Sequence, residues 1–402
     1  MKHVRLFALL VAAACFATAL PLQAQSDYGY GSRNLQPVGL LLVDGGTGSL
    51  AIEQDAERPF AYLARRQAAG TVAVDLSDPA DPRAIPGHES AQVSVHDLTL
   101  FAHLGRQYLV LATDLGADVV DVTDPSNSAD VAHVFLEGGF RDLFAYKHSD
   151  GRSLLFATGG GAAFVYDLVR ILGSDDALIA AIDTPQQVES SSTGFDDLFV
   201  GYEPDTAQDR LYGAGAGGYF VFDVTEPTDP ELLVTVSSAA VERGRAIAPT
   251  PDGRFALTAA EYRTAPIRVF DVSGSMPRVR TAVGAWTADW RSEYTDIQMR
   301  WPFAFVAALE GGLHVVNLFD PVAPYTDAYY MPYFDGPVGL DIDPQGISSL
   351  DIRNHDGLVV ASDLDRGFLV FRLEAFERWH GHAWGQPHVS RAQDWVAGPD
   401  GR

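Results

Sequence analysis

Cysteine and lysine are almost missing from this chain of 402 residues. The one cysteine is Cys15, and Lys2 and Lys147 are its only lysines. Cys15 falls inside an amino-terminal segment, 1–24, in which Lys2, His3 and Arg5 precede an apolar run from Leu6 to Ala14 and Leu22-Gln23-Ala24 supplies small-residue cleavage chemistry. That pattern reads as a secretory signal rather than a transmembrane helix. With the signal removed after Ala24, the mature chain would hold neither a disulfide nor a thiol nucleophile. Cys15 in Ala12-Ala13-Ala14-Cys15 also loosely matches a lipoprotein cleavage box, so lipid anchoring is the alternative to a freely exported form.

Lysine scarcity accompanies a strong acidic excess, a net charge of −25. An anionic partner such as nucleic acid or an acidic membrane surface would be repelled. Motifs of catalysis are missing as well. No Gly-x-Ser-x-Gly elbow, phosphate loop, His-Glu-x-x-His helix or dinucleotide fingerprint occurs, and the glycine runs lie between strands rather than before a helix.

What the chain does have is repetition. Tyr219-Phe220-Val221-Phe222-Asp223-Val224-Thr225-Glu226-Pro227 recurs in altered form, with anchor positions Asp75, Asp121, Asp167, Asp223, Asp271, Asn317 and Arg372. A period of roughly 40 to 50 residues built from β-rich segments predicts a propeller. The fold class expected is all-β, a seven-bladed β-propeller, spanning 37–374. The flanks would be a flexible leader over 25–36 and a polar carboxy-terminal tail over 375–402. Within a unit, Asp-Gly pairs such as Asp150-Gly151 mark hairpins, and glycine-rich turns lead into an apolar third strand. The last unit lacks an outer strand, and the surplus strand Pro37–Val43 can supply it, because a ring left open would expose strand edges. Two stretches break the period, Ile171–Thr193 and Asp327–Ser348, and are expected to be long loops able to carry binding.

The anchor acids Asp75, Asp121, Asp167, Asp223 and Asp271 stand where a strand enters a proline-rich loop. There a carboxylate accepts backbone N–H groups in an Asx turn, a structural role. Val119-Val120-Asp121-Val122-Thr123-Asp124-Pro125 is the clearest copy, and the units resemble LVIVD repeats, a family of extracellular bacterial propeller repeats. The resemblance covers about 37–374, with departures at Asn317 and Arg372. It implies the fold and an envelope or surface role, and transfers no catalytic residue.

A second acidic series, Asp97, Asp142, Asp197, Asp296 and Asp351, lies 21 to 26 residues before the anchors, at the start of each unit's first strand. Arg245 occupies this region of the fifth unit, and His96 and Arg141 precede two of the acids. In a propeller the first strand borders the channel, so five carboxylates would ring one mouth. They would either cap strands or hold Ca²⁺, the cation that several converging oxygens suit. Asp341-x-Asp343-x-Gln345-Gly346, with Asp335 nearby, resembles the opening of a calcium loop. Ile352 stands where its closing glutamate is needed. His380, His382 and His388 between Trp379 and Trp384 and beyond offer Zn²⁺ or Cu²⁺ ligands, or belong to a tail laid on the ring by its tryptophans.

These readings predict a secreted or periplasmic monomer that binds a protein or carbohydrate partner through loops on one face, without enzymatic activity. A cation-dependent hydrolase or lyase and a cell-surface adhesin are the alternatives.

Overall fold

A computed structural model describes residues 24–26, 29–55, 57–66, 68–85, 94–173, 176–185, 194–236, 243–273, 281–289, 292–332, 346–374, 393–396 and 398. Seven antiparallel sheets follow one another in chain order. Their first strands are Thr47–Ile52, Val95–His103, Asp142–Lys147, Phe195–Glu203, Gly244–Pro249, Tyr294–Arg300 and Ile347–Arg353. Each packs against the next, and Ile347–Arg353 packs against Thr47–Ile52, so the seven form a closed ring about an axis. We number the blades 1 to 7 in that order and call their strands inner, second, third and outer.

The apolar strands explain the ring. Blade 3's second strand, Ser153–Gly159, is buried through Thr158, and Gly218–Asp223, the third strand of blade 4, is buried through Phe222. Both faces of these sheets are covered by neighbouring blades, so continuous rather than alternating hydrophobicity is what the packing needs. At about 1.5 to 3 kcal/mol for each fully buried large apolar side chain, this burial between blades is a large part of what holds the ring together.

Leu35–Leu42 is the outer strand of blade 7 and closes the ring. It pairs antiparallel with Gly367–Leu373, in the register Pro37↔Phe371, Leu40↔Leu369 and Leu42↔Gly367. Leu35 is fully buried in the core between blades 6 and 7.

The leader is not a structureless segment where it is described. Gly29–Gly31 pairs with Tyr330–Pro332 at the outer edge of blade 6, and Ala24–Ser26 pairs with Gly29–Gly31 in turn, giving that blade six strands. Glycine serves close approach here. A Cβ on Gly29 would lie 2.5 Å from the Met331 carbonyl oxygen, and one on Gly31 2.4 Å from that of Tyr329.

The stretches expected as long loops contain regular elements. Asp167 is followed by no proline and caps a short helix, Leu168–Leu172, by accepting the N–H groups of Val169 and Arg170. Leu178–Asp183 and Tyr325–Pro332 are then the outer strands of blades 3 and 6. The remainder, 186–193 and 333–345, lies outside the described residues, as do Asp335, Asp341, Asp343 and the Trp379–His388 segment. No helix among the described residues is long and apolar enough to cross a membrane.

Candidate functional site: the inner-strand acids and the upper rim

Inner strands begin at one face, here called upper, and end at the lower face, where the hairpins and the Asp-Pro turns lie. The turn acids all sit at that lower face. Asp75 accepts the N–H of Ser77, Asp121 that of Thr123, Asp223 that of Thr225 and Asp271 that of Ser273. Asn317 receives Phe319 N–H in the same way, so an amide oxygen replaces the carboxylate without changing the turn. Arg372, by contrast, is an exposed strand residue opposite Leu358 and Gln36.

Near the upper face a different row of acids reaches across the blade boundaries. Asp97 accepts Leu143 N–H at 2.9 Å, Asp142 accepts Leu198 N–H at 2.9 Å, Asp197 accepts Ile247 N–H at 2.8 Å, and Asp296 accepts Leu350 N–H at 3.0 Å. In each case the carboxylate of one blade takes the inward-pointing N–H of the next. An inner strand has a partner on one side only, so these N–H groups would otherwise go unpaired in a partly buried wall. The acids are interblade clasps. Serine hydroxyls join the row, with Ser49 donating to Asp97 at 2.5 Å and Ser349 to Asp296 at 3.0 Å.

Asp351 departs from the expected ring. The inner strand of blade 7 bulges between Ile347 and Ser349, and Leu350 receives the clasp from Asp296, so Ser349 holds the ring position. Asp351 lies two residues further along, fully buried, where it accepts Ile52 N–H of blade 1 and pairs with Arg300 of blade 6 at 3.4 Å. Arg300 also donates to Asn354 Oδ1 at 2.6 Å. Three blades therefore meet at one buried ion pair. Arg245 likewise is not in the acid row. It is the bulge residue between Gly244 and Ala246, and Ala246 takes the clasp position of blade 5.

The bulges set His96, Asp196 and Arg245 in a second row at the upper rim, which Arg141 joins from just before the inner strand of blade 3. A bulge turns one extra side chain out of the ladder, which is how the first three reach the mouth. Charges of both signs gather there. His96 Nε2 is 2.6 Å from Asp114 Oδ1, with Arg141 at 3.8 Å from the same oxygen. Arg243 bridges Asp196 at 2.6 Å and Glu261 at 2.9 Å, while Arg263 faces Glu310 at 3.5 Å. Among the described residues, no three His, Cys, Asp or Glu side chains converge as metal ligands would.

Two buried polar groups were not visible in sequence. At the lower face, Asp209 of blade 4 is fully buried and accepts Tyr146 Oη–H at 2.6 Å and the Ser149 hydroxyl, both from blade 3. His148 Nε2 lies 3.3 Å from the same carboxylate and 3.1 Å from the Val224 carbonyl oxygen. A serine, a histidine and an aspartate thus meet, yet the hydroxyl donates to the carboxylate and not to the imidazole. No nucleophile is activated by that order. The constellation ties blade 3 to blade 4.

His314, in the third strand of blade 6, packs on Trp286 with ring centroids 5.2 Å apart and donates from Nε2 to Gly311 O at 2.7 Å. Burial pushes its pKa down to about 4, so it is neutral in the folded protein. The unfolded chain, with an ordinary imidazole, binds the proton more tightly. Stability is therefore expected to fall as pH drops from about 6.5 toward 4, by about 3 kcal/mol from this residue. Thermal unfolding across that range measures it, and His314→Met should flatten the slope relative to the parent.

A cavity of about 300 Å³ opens on the flank, between the outer strand of blade 2 and the helix of blade 3. It is lined by Val134, Tyr166, Ile171 and Leu178, with His133 and Asp176 at its rim.

The chain matches no protein-family model and no curated protein. Among solved structures it is similar to Raptor of Chaetomium thermophilum, with a TM-score of 0.62 and 13% sequence identity. The likeness covers 86% of this chain but only 30% of that one, so the chain spans less than a third of Raptor's length. At that identity it is the propeller fold that the two share.

Proposed function

We propose that the chain is an exported binding or scaffolding propeller of the LVIVD-repeat type, without catalytic activity, that holds a protein or carbohydrate partner on its upper face. One observation carries this reading. The acids that sequence places at the channel mouth take backbone N–H groups of the next blade, so their chemistry is directed to ring assembly. The upper rim, by contrast, gathers exposed charge of both signs on a rigid frame. Arg245 has no hydrogen-bond or ion-pair partner among the described residues and stands half-buried at the mouth. A rigid scaffold carrying varied connections at one end is the usual arrangement of a recognition surface. Where they are described, the outer strands end and the following inner strands begin at this face, as Leu178–Asp183 and Phe195–Glu203 do.

The apolar third strands that end in Asx turns support the repeat type. The amino-terminal pattern supports export, and the mature form is expected to begin at Gln25. Mass spectrometry of the exported protein checks this, since a lipid-modified Cys15 terminus would give a different mass.

Charge reversal separates the faces. Arg243→Glu with Arg245→Glu should weaken binding of the purified protein to an immobilised cell-envelope fraction by at least about tenfold. Phe319→Ser with Val322→Ser, at exposed positions of the lower face, should leave it unchanged. Loss through the lower pair alone would reverse the assignment.

A further inference from the structure

The inner edge of blade 3 carries a row of inward-pointing N–H groups that belong to Leu143, Ala145 and Lys147. Asp97 accepts the first at 2.9 Å and the Thr99 hydroxyl accepts the second at 3.4 Å. The third falls opposite Phe101, two residues beyond Thr99, and a phenyl ring accepts no such bond. A side chain from far along the sequence completes the row. Gln393 Oε1 accepts Lys147 N–H at 2.6 Å, while Gln393 Nε2 donates to Ala145 O at 2.7 Å. One carboxamide thus does what a neighbouring strand would do at that edge.

Two residues on, Trp395 sets its ring edge-on to Phe101, with centroids 6.1 Å apart, and joins the apolar core of blades 2 and 3. Phe101 is itself stacked on Tyr108 at 4.9 Å. The segment turns away at once, with Val396 N–H bonded to the Asp394 carboxylate and Gly398 N–H to Asp394 O. Asp394 and Val396 point outward, Val396 being 91% exposed.

From this geometry we infer that the lower end of the inner edge between blades 2 and 3 is a peptide-binding site, closed in this chain by its own carboxy-terminal segment. Its ligand is a peptide that presents a primary carboxamide two residues before an indole, where the chain enters a turn. The occupant is exchangeable because the ring does not depend on it. Leu35–Leu42 already completes blade 7, and among the described residues the seat holds the segment chiefly by the bidentate Gln393 amide and the Trp395 ring edge, with Gly398 packed near Lys147. Binding by strand-edge hydrogen bonds, with a side-chain pocket setting the specificity, is an established mode of peptide recognition. The site lies at the opposite face from the upper rim and stands independently of the function assigned to it.

The test uses the full chain with Gln393→Ala and Trp395→Ala, which vacates the seat, and a fluorescent peptide of residues 390–400. The vacated chain should bind the peptide saturably. The intact chain should bind it at least about tenfold more weakly, since the tethered segment competes at high effective concentration. A peptide with alanine at both positions should not bind. Amide exchange at Lys147 should speed up in the vacated chain and slow again with the peptide present. Equal binding of both peptides, equal binding to both chains, or no binding to the vacated chain would overturn the assignment. So would loss of the vacated chain's cooperative unfolding, which would make the segment a structural part of the ring.

Discussion

Asp351→Ala is expected to lower the stability of the whole ring by about 3 to 5 kcal/mol, more than removal of any one upper clasp. Arg300 is 1% exposed and Asp351 fully buried, so deleting the carboxylate takes a counter-charge away from a guanidinium held in the interior, where it also donates to Asn354 Oδ1 and to the Met299 carbonyl. It also strands Ile52 N–H at the seam between blades 7 and 1. Asp97→Ala, by comparison, removes the acceptor of Leu143 N–H, and about 1 to 3 kcal/mol is the range for an unsatisfied buried donor. Chemical denaturation measures both. Replacing the pair together, Arg300→Met with Asp351→Leu, should recover much of the loss, because two uncharged side chains no longer require desolvated ions. A double variant as unstable as Asp351→Ala would show that the pair's worth lies elsewhere.

Deletion of 25–44 is expected to have the larger effect and to abolish the single cooperative transition. The outer strand of blade 7 comes from the start of the chain, so its loss exposes the edge of Gly367–Leu373 and opens the ring at one seam. Leu35 is fully buried and Val38, Leu40, Leu41 and Val43 are partly so. At about 1.5 to 3 kcal/mol per fully buried side chain and less for the others, the apolar loss alone reaches roughly 6 kcal/mol. Domains are stable by about 5 to 15 kcal/mol in all. Circular dichroism during heating checks this. A chain lacking 25–44 that still melts in one sharp step near the parent temperature would mean that blade 7 does not need its outer strand.

The fold was legible because its signals are local. An apolar third strand, an Asx turn and a hairpin Asp-Gly each lie within a few residues, and they repeat until the period is unmistakable. Ring closure was legible for a related reason, since a strand missing at one end matches a strand left over at the other. The acid row was legible only in part. Counting back from the anchors places Asp97, Asp142, Asp197 and Asp296 at the upper end of the inner strands but puts Asp351 in the same row. Asp296 and Asp351 stand equally far before their anchors, but the hairpin of blade 7 between Arg353 and Leu358 is two residues longer than that of blade 6 between Arg300 and Phe303, so equal spacing falls on different positions of the strand. Gly29 and Gly31 read as flexibility when they mark a backbone packed too close for a Cβ. Asp209 with His148, and Gln393 on the inner edge of blade 3, join residues 60 and more positions apart. No spacing rule connects them.

Whether the upper acids clasp blades or hold a cation is the question on which the functional reading turns. Thermal unfolding with Ca²⁺ and with chelator, for the parent and Asp197→Asn, answers it. Asparagine keeps an acceptor oxygen for Ile247 N–H, so the variant should stay folded while losing any cation affinity the carboxylate supplies. The clasp account predicts a melting temperature indifferent to Ca²⁺ and to chelator in both proteins. A rise of several degrees with Ca²⁺ that Asp197→Asn abolishes would contradict it, because a ligand bound only by the folded state raises stability by mass action.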